Sequence, residues 1–477
     1  MPLHGPASTV PLCALTLAQR IPAVADRGSV RPVNASLDAP RPSPHLARWG
    51  IAPQDDDGIV VARATIDGAP LLIAAQDERF LGGSAGANHA DTLRRLFELA
   101  GAERPAAVVI LAASGGVRLH EANPAEWALA RALAALLDLR AAGVPVLVAG
   151  VADVFGGASV LACAAARIAL ISGVRLGLSG PAVIETARGR KELDARDTAT
   201  VARVFGAEAR AAAGHVELIA DSADSVRRWI VRGIEEATSL AAWVQATQVR
   251  LAARLADAVS AGTSAAMSAP TEVAPLSLPP LPQNLASLYA NAVPVDPAGW
   301  LARLPAGRTW LCRPAGATTF GPREAASLDS VLLASLAAAA PDAAPTLVLI
   351  GDSRGHEVSL LAESLCVSQY LAQHAAVLAL LRARGVVLRG LLSGVGHSAE
   401  FFSHVLQAQT IDALVEARVV AMEPAALARV TRLPQADLAA LIENDPLLGH
   451  PVRHFARWAG IADLLPDANP ARLFPGG

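Results

Sequence analysis

Apolar runs that end in glycine recur along the chain. The stretches "AVVILAASGG" (107–116) and "GVPVLVAGVADVFGG" (143–157) both resemble a buried strand that runs into paired glycines. Farther along, "TLVLIGDSRG" (346–355) and "GVVLRGLLSGVGHSAEF" (385–401) repeat the pattern, with a glycine or another small residue at the turn. Strands of this kind, alternating with helical segments, predict an α/β fold with mostly parallel sheets.

The two halves of the chain resemble each other. "RIALISGVRLGLSGPAVI" (167–184) aligns with "TIDALVEARVVAMEPAAL" (410–427), which places Arg175 on Arg418 and Pro181 on Pro424. Each half is predicted to run strand, glycine turn, helix, strand, small-residue turn, helix, strand, proline turn. This shared order favours a duplicated domain. The alternative is chance similarity between two alanine-rich α/β segments.

Composition along the chain predicts four parts. Residues 1–44 are rich in proline, alanine and arginine without periodicity, which predicts a disordered extension. Residues 45–245 form a first folded domain, and residues 246–290 contain the end of a helix and a proline-rich linker. Residues 291–470 form a second folded domain.

Composition also excludes several classes of protein. The net charge of −3 gives no indication of a nucleic-acid partner. No apolar run is long enough to span a membrane, and no signal peptide is apparent, so we expect a cytoplasmic protein. The four cysteines have no metal-ligand spacing, and we expect no metal site. Lys191 is the one lysine, so no P-loop is present and a lysine-linked biotin would have to use that residue.

The glycine turns are the first candidates for chemistry. A strand that ends in Gly-Gly and opens a helix leaves backbone N–H donors without partners, and these donors favour negative charge. If the N–H of Gly116 or Val117 converges with that of Gly157, the turns form an oxyanion hole suited to a thioester enolate. The alternative is a pair of close-packed turns in which glycine only provides room for the backbone.

Longer motifs carry a family resemblance. "QDERFLGGSAGANHADTL" (76–93), "SGGVRLHEANPAEWA" (114–128) and "RLGLSGPAVIETARG" (175–189) resemble the beta subunit of biotin-independent malonate decarboxylase. "GHSAEFFSHVLQAQTIDAL" (396–414) and "ARVVAMEPAALARVTRL" (417–433) resemble its gamma subunit. The chain is thus similar to a beta–gamma fusion. The resemblance implies two crotonase-like (ββα spiral) carboxyltransferase domains in tandem, with an active site between the halves.

The resemblance implies a reaction and its partners. Malonyl held as a thioester on an acyl carrier protein would lose CO2 and leave the acetyl-carrier, without biotin. No cofactor is expected on this chain, because the phosphopantetheine-type arm (phosphoribosyl-dephospho-CoA) belongs to the carrier. The implied partners are the acyl carrier protein subunit and the acetyl/malonate carrier transferase subunit.

The resemblance also implies which residues form the site. The enolate oxygen would be stabilised by backbone N–H groups near Gly115, Gly116, Gly156 and Gly157. The second-half turn would hold the departing carboxylate or CO2 through Gly396, His397, Ser398 and Ala399. Substrate-binding positions are Ser114, Val117, Arg118, Ser179 and Gly180.

Several side chains keep two interpretations. His397 is a candidate proton donor to the acetyl carbon, whereas a structural histidine and a proton from water are the alternatives. Arg118 could bind substrate or pair with Glu121 at i, i+3. The basic run Arg188–Lys191 could meet an acidic carrier protein or form a solvated loop.

The chain departs from the family pattern at two turns. Ala182 stands where an acidic residue usually follows the proline, and Ala399 stands where many gamma subunits have glycine. Alanine still offers a backbone N–H, so an oxyanion role remains open. Two further hypotheses remain, a biotin-dependent acyl-CoA carboxyltransferase and a non-catalytic scaffold that binds the carrier. The first would depend on a biotinylated partner, and the second would bind the carrier without turnover.

Overall fold

The protein, seen in a computed structural model, divides into two compact units. Residues 10–260, 281–305, 308–314, 319–336, 345–458 and 460–473 are described below. Unit 1 comprises Met1–Leu240 and Val358–Gln369, and unit 2 comprises Ala241–Glu357 and Tyr370–Gly477. Part of the predicted linker, residues 261–280, lies outside the described residues.

The first half of the chain alternates strands and helices. In chain order its elements are α1 (Leu17–Val24), α2 (Ala35–Asp38), β1 (Ile59–Ile66), β2 (Ala69–Gln76), α3 (Ala87–Glu103), β3 (Ala107–Ser114), α4 (Ala122–Ala141), β4 (Val146–Phe155), α5 (Gly157–Cys163), β5 (Arg167–Ile171), β6 (Leu176–Gly177), α6 (Pro181–Arg188), α7 (Thr198–Phe205), α8 (Ala207–Ala212), β7 (Glu217–Ile219) and α9 (Ala223–Glu235).

The second half of the chain also alternates helices and strands. Its elements are α10 (Leu240–Ser260), α11 (Ala286–Tyr289), β8 (Val293–Pro294), β9 (Leu301–Arg303), β10 (Thr309–Cys312), α12 (Pro322–Leu336), β11 (Thr346–Gly351), α13 (Leu360–Ser364), α14 (Val367–Ala383), β12 (Val387–Leu392), β13 (Val395–His397), α15 (Ser398–Ser403), β14 (Thr410–Leu414), β15 (Arg418–Val420), α16 (Pro424–Thr431), α17 (Gln435–Asn444), α18 (Val452–Phe455), β16 (Ile461–Leu465) and α19 (Pro470–Leu473).

The sheet of unit 1 has the order β1-β2-β3-β4-β5-β7, and β6 also pairs with β4. Its strands are parallel except for the antiparallel pair β1–β2. Every residue of β3 is buried, as expected for a parallel strand that is covered on both faces. The predicted α/β class with parallel sheets is confirmed.

The main sheet of unit 2 has the order β16-β14-β12-β11-β10-β9-β8, and β13 and β15 form a separate parallel pair. The strands from β10 to β16 pair in parallel, whereas β8, β9 and β10 pair antiparallel. Leu311, Val348, Ile350, Leu391 and Leu414 bring one side chain or two from each of the central strands into a common core. Unit 2 is therefore also an α/β layer structure.

The N-terminal segment differs from the prediction of a disordered extension over residues 1–44. Helix α1 buries Leu17, Ile21 and Val24, which lie on one helical face. Arg20 is fully buried beside them, and its guanidinium pairs with Glu78 at 2.7 Å. The prediction is wrong for residues 10–44 because this short helix is held by tertiary packing, which the composition of the segment does not reveal.

A short segment from the second half of the chain belongs to unit 1. Val358 and Leu360 pack against a buried cluster formed by Ile184, Leu193, Val201 and Phe205. The predicted domain boundaries place residues 291–470 together, so the structure differs from them at residues 358–369. A contiguous boundary cannot describe a segment that leaves its unit and returns to it.

The two units repeat the same backbone hydrogen bonds at their first glycine turns. In unit 1, Ala85 N–H donates to Gly116 O at 2.7 Å. In unit 2, Phe320 N–H donates to Gly355 O at 2.8 Å. The N–H of each of these glycines also donates to the hydroxyl of the serine two residues earlier. Equivalent geometry at equivalent positions supports the predicted duplication.

Candidate functional site

The first glycine turn of unit 1 follows β3. Ser114 Oγ donates to Gly83 O at 2.8 Å and accepts the Gly116 N–H at 3.3 Å. Gly116 has φ of +92°, a conformation that side chains disfavour. The Ser114 hydroxyl therefore supports the turn from beneath, and the Gly116 N–H is already engaged.

The second glycine turn of unit 1 follows β4 and touches the first. Gly156 has φ of +61°, and its N–H donates to Leu178 O at 3.1 Å. A Cβ on Gly116 would lie 2.9 Å from Gly156 Cα, 3.0 Å from Phe155 O and 3.4 Å from Gly157 N. The backbones of the two turns are thus in direct contact, and a side chain on Gly116 would force them apart.

Two N–H groups at this contact remain available. The bridge between Ala85 and Val117 uses the N–H of Arg118 and the carbonyl of Gly116, and it leaves out the N–H of Val117. Gly157 is the first residue of α5, where the helix supplies no acceptor. Within the described part of the chain, neither the Val117 N–H nor the Gly157 N–H has an acceptor. Both donors belong to residues of the touching turns.

The proline turn at Ser179 and Gly180 is already occupied by a carboxylate. The N–H groups of Leu178 and Ser179 donate to Glu363 Oε1 at 3.1 and 2.6 Å. Gly180 precedes α6 and its carbonyl accepts the N–H of Val183 at 2.8 Å. The backbone N–H of Ser179, a predicted substrate-binding position, is therefore committed to Glu363.

The predicted substrate-binding side chain of Arg118 is buried in a structural cluster. Its guanidinium pairs with Glu121 at 3.0 Å and also with Asp57, and it lies 5.1 Å from the ring centre of Phe80. Burial raises the pKa of Asp57 to about 6, although Arg118 opposes the shift. Arg118 is fully buried and pairs with both carboxylates, which favours the pairing interpretation.

The second-half turn lies at the junction of β13 and α15 in unit 2. Ser398 has φ of +57°, and its hydroxyl is 2.9 Å from Nδ1 of His356. Ala399 is buried, and no acceptor for its N–H occurs among the residues that the structure describes. Gly396 faces Phe401, since a Cβ there would lie 2.8 Å from the phenyl ring. The turn thus keeps an available N–H at Ala399, despite the missing glycine.

His397 is the last residue of β13 and belongs to this turn. Its Nε2 is 3.8 Å from Glu423 Oε1, and a Cβ on Gly355 would lie 3.1 Å from its ring. Burial lowers the pKa of His397, although Glu423 opposes the shift. A neutral imidazole is a weak source of protons, so the lowered pKa does not favour the proton-donor interpretation.

Sequence reasoning did not predict several buried polar groups. Glu363 contacts the Leu178–Ser179 turn, and Glu400 accepts the Ser353 hydroxyl at 2.7 Å beneath the second-half turn. His374 lies between Asp329 and His404, at 2.7 and 2.9 Å. The available signal was an acidic or histidine residue within an otherwise apolar helix, as in "LLAESLC" and "SAEFF". Such residues need a buried partner.

Two arginines of the basic run Arg188–Lys191 have partners within unit 1. In the basic run, Arg190 pairs with Glu185 at 2.8 Å and Arg188 donates to Val358 O at 2.8 Å. Over the described residues, no group of three or more His, Cys, Asp or Glu side chains has an arrangement that could hold a metal ion. No helix in the same part of the chain is long and apolar enough to cross a membrane.

Comparison with protein families assigns each half of the chain. Residues 12–237 match the carboxyl transferase domain family, and residues 315–473 match the malonate decarboxylase gamma subunit family. The chain joins a carboxyl transferase domain to a malonate decarboxylase gamma-subunit domain. The carboxyl transferase domain contains the touching glycine turns, and the gamma-subunit domain contains the turn at Gly396–Ala399. The predicted fold class of two tandem crotonase-like carboxyltransferase domains agrees with these matches.

Two curated relatives each match less than half of this chain. The chain is 37% identical over 201 residues to the malonyl-S-ACP:biotin-protein carboxyltransferase MADC of Malonomonas rubra, covering 39% of this chain and 62% of that protein. It is 34% identical over 181 residues to the acetyl-coenzyme A carboxylase carboxyl transferase subunits beta/alpha of Parafrankia sp. (strain EAN1pec), covering 36% of this chain and 29% of that protein. The chain therefore spans less than two thirds of either relative.

Among solved structures, the chain is similar to a Pseudomonas malonate decarboxylase hetero-tetramer in complex with malonate. The identity is 34%, the match covers 48% of this chain and 85% of the other, and the TM-score is 0.45. The transcarboxylase 12S structure is 18% identical, with 96% of this chain covered and a TM-score of 0.40.

Proposed function

We propose that this chain decarboxylates a malonyl thioester carried by an acyl carrier protein, giving the acetyl-carrier and CO2. The observation that supports this most directly is the contact between the two glycine turns, with available N–H groups on Val117 and Gly157. The match of the second half to the gamma subunit of malonate decarboxylase supports the same reaction.

The reaction needs stabilisation of one oxygen. When the bond between the α-carbon and the carboxylate breaks, its electron pair moves into the thioester and gives an enolate, while the carboxylate leaves as CO2. The Val117 and Gly157 N–H groups are the proposed donors to the enolate oxygen. The N–H groups of Gly116 and Gly156 already have other acceptors, so these two glycines and Gly115 form the turns that hold the donors. Donors of this type stabilise the enolate more than the neutral carbonyl, so they lower the barrier.

The turn at Gly396–Ala399 lies in unit 2, where Ala399 keeps an available N–H. The resemblance to the gamma subunit implies that this turn holds the departing carboxylate, and that role stays a prediction. The α-carbon must then take a proton. Because the pKa of His397 is lowered, we favour water as the source of that proton.

The carrier and its phosphopantetheine-type arm (phosphoribosyl-dephospho-CoA) act as substrate, so no resident cofactor is proposed for this chain. The acyl carrier protein subunit and the acetyl/malonate carrier transferase subunit are the proposed partners. The hetero-tetrameric state of the similar Pseudomonas enzyme supports assembly with other subunits.

A second candidate is transfer of the carboxyl group to a biotinylated protein. The observation that favours it is the 37% identity to a malonyl-S-ACP:biotin-protein carboxyltransferase. The same enolate would form in that reaction, so the glycine turns fit both candidates. The two differ in the acceptor of the carboxyl group.

The test is a single-turnover assay with purified protein and malonyl-loaded carrier, following CO2 and acetyl-carrier with and without avidin. Avidin-insensitive release of CO2 would support the decarboxylase. Turnover only after a biotinylated protein is added would favour the transferase. Tight carrier binding with no turnover under either condition would favour a scaffold and contradict both reactions.

A pair of variants tests the proposed donor. Gly157 is the first residue of α5, a position that accepts proline without losing a helical hydrogen bond. Gly157→Pro removes the N–H and should lower the rate by about 100- to 1000-fold. Gly157→Ala keeps the N–H, so the ratio between the two variants measures the donor. Equal rates in both variants would contradict its role.

A further inference from the structure

Glu363 is a buried carboxylate that the proposed reaction does not use. It lies on α13, in the segment of the second half that belongs to unit 1. Its side chain is 1% exposed. It accepts the N–H groups of Leu178 and Ser179 through Oε1, as described above, and Oε2 lies 3.4 Å from Nη2 of Arg210. A carboxylate with this set of donors is held in one orientation.

A series of hydrogen bonds connects Glu363 to the second glycine turn. Leu178 donates its N–H to Glu363, and its carbonyl accepts the N–H of Gly156 at 3.1 Å. Two hydrogen bonds through a single residue therefore connect the carboxylate to the turn that carries the Gly157 donor. Strand β6 also contacts this turn region, because its Gly177 pairs with Phe155 of β4, the residue before Gly156.

The surroundings leave little freedom for this arrangement. A Cβ on Gly177 would lie 3.0 Å from Glu363 Oε2, so the carboxylate packs directly against the β6 backbone. Arg210 donates from Nη1 to Glu363 O at 2.6 Å and from Nε to Leu176 O at 3.2 Å. Arg210 therefore ties α13 to the same strand. A shift of Glu363 would therefore displace the N–H of Leu178. The carbonyl of Leu178, which accepts the N–H of Gly156, would shift with it.

We propose that Glu363 is a positioning residue that fixes the Gly156–Gly157 turn for the reaction. This inference rests on the proposed decarboxylation. Because Glu363 is buried, it acts through the Leu178–Ser179 turn and does not touch the substrate. Loss of the carboxylate should misalign the Gly157 donor, which lowers kcat more than it raises KM.

The protonation state of Glu363 provides a readout that packing alone would not give. Burial raises the pKa of Glu363 to about 7, whereas Arg210 and the backbone donors oppose the shift. The other titratable groups that face it are Cys366, on the same segment, and Cys163 of α5. The ionised carboxylate accepts hydrogen bonds better than the protonated form. We therefore expect kcat to rise with pH across a pKa near 7.

The experiment compares wild type with Glu363→Gln, using the full-length protein and the malonyl-loaded carrier across pH 6 to 9. Above pH 8 the variant should show a kcat lower by about 10-fold, with KM changed by less than about twofold. It should also lose the rise of kcat near pH 7. Hydrogen exchange at the amides of Gly156, Leu178 and Ser179 should be faster in the variant.

The matched control is Glu126→Gln. Glu126 is a buried glutamate of unit 1, on α4, and within the described residues no hydrogen bond joins it to either glycine turn. The Glu126→Gln variant should keep the wild-type kcat near pH 8 and the wild-type hydrogen exchange at the amides of Gly156, Leu178 and Ser179. If Glu363→Gln does not fold, Glu363→Asp keeps the charge with a shorter reach and takes its place.

The outcomes separate this inference from the proposed function. A wild-type kcat and pH profile in Glu363→Gln, or unchanged exchange at the three amides, would overturn the positioning role. If the wild-type protein releases no CO2, the proposed function fails. The exchange measurement then still decides whether Glu363 holds the turn.

Discussion

Gly116 is the position where a single methyl group tests the contact between the two turns. The substitution Gly116→Ala places a Cβ 2.9 Å from Gly156 Cα and 3.0 Å from Phe155 O, both of them backbone atoms. Ordinary contact begins at 3.4 Å, so the turns must separate by about 0.5 Å. The φ of +92° adds strain for any residue with a side chain.

The magnitude follows from these two terms. Left-handed backbone costs about 1–2 kcal/mol for a residue with a side chain, and overpacking costs about 1–3 kcal/mol. Gly116→Ala should therefore lower the free energy of unfolding by about 2–5 kcal/mol. A shift of this size at the proposed oxyanion donors should slow CO2 release by about 10-fold or more.

Gly173→Ala is the matched control. Gly173 has φ of +85°, and a Cβ there would meet nothing within 4 Å. Gly173→Ala should lower the free energy of unfolding only by the cost of the left-handed backbone, about 1–2 kcal/mol. Its rate of CO2 release should stay as in wild type. Urea denaturation and single-turnover kinetics on both variants provide the comparison. Equal stability losses with equal rates would refute the contact between the turns as the cause.

The remaining predictions concern buried charges. Arg118→Met leaves Asp57 and Glu121 buried without their cation, so the free energy of unfolding should fall by about 3–5 kcal/mol in urea denaturation. The control Arg94→Met breaks half-exposed ion pairs and should lower the free energy of unfolding by about 1 kcal/mol or less. A similar loss in both variants would contradict the argument. Burial raises the pKa of Glu126 to about 8 from 4.5, so the folded protein keeps a proton that the unfolded chain releases, and stability should fall as pH rises from 4.5 to about 8. Glu126→Gln should flatten that part of a denaturation series against pH, and an unchanged slope would exclude Glu126 as its source.

Local patterns predicted the features that depend on neighbours in the chain. Apolar runs that end in glycine indicated the α/β class, and the i, i+3 spacing indicated the pairing of Arg118 with Glu121. The spacing of Leu17, Ile21 and Val24 was a helical signal as well, but the proline and arginine content around it favoured a disordered segment. Periodicity over a few residues was the better guide there.

Long-range partners could not be predicted in this way. Glu363 and Ser179 are 184 positions apart in the chain, and no local pattern connects them. The role of a buried acid depends on which N–H groups the fold brings to it, and only the three-dimensional arrangement supplies that information. The same holds for Asp329, His374 and His404, which come from separate segments of unit 2.

The segment Val358–Gln369 has a consequence for how the protein is made. Most of unit 1 consists of residues up to Leu240, yet the carboxylate that pairs with its buried Arg210 among the described residues, Glu363, comes from this late segment. During synthesis, the first unit therefore cannot complete its core until the ribosome has passed residue 369. A gene fragment that ends after residue 240 would leave Arg210 without its carboxylate partner, and the apolar cluster of Ile184, Leu193, Val201 and Phe205 without Val358 and Leu360. Such a fragment should depend on chaperones, and supplying the missing segment on a second polypeptide should rescue it.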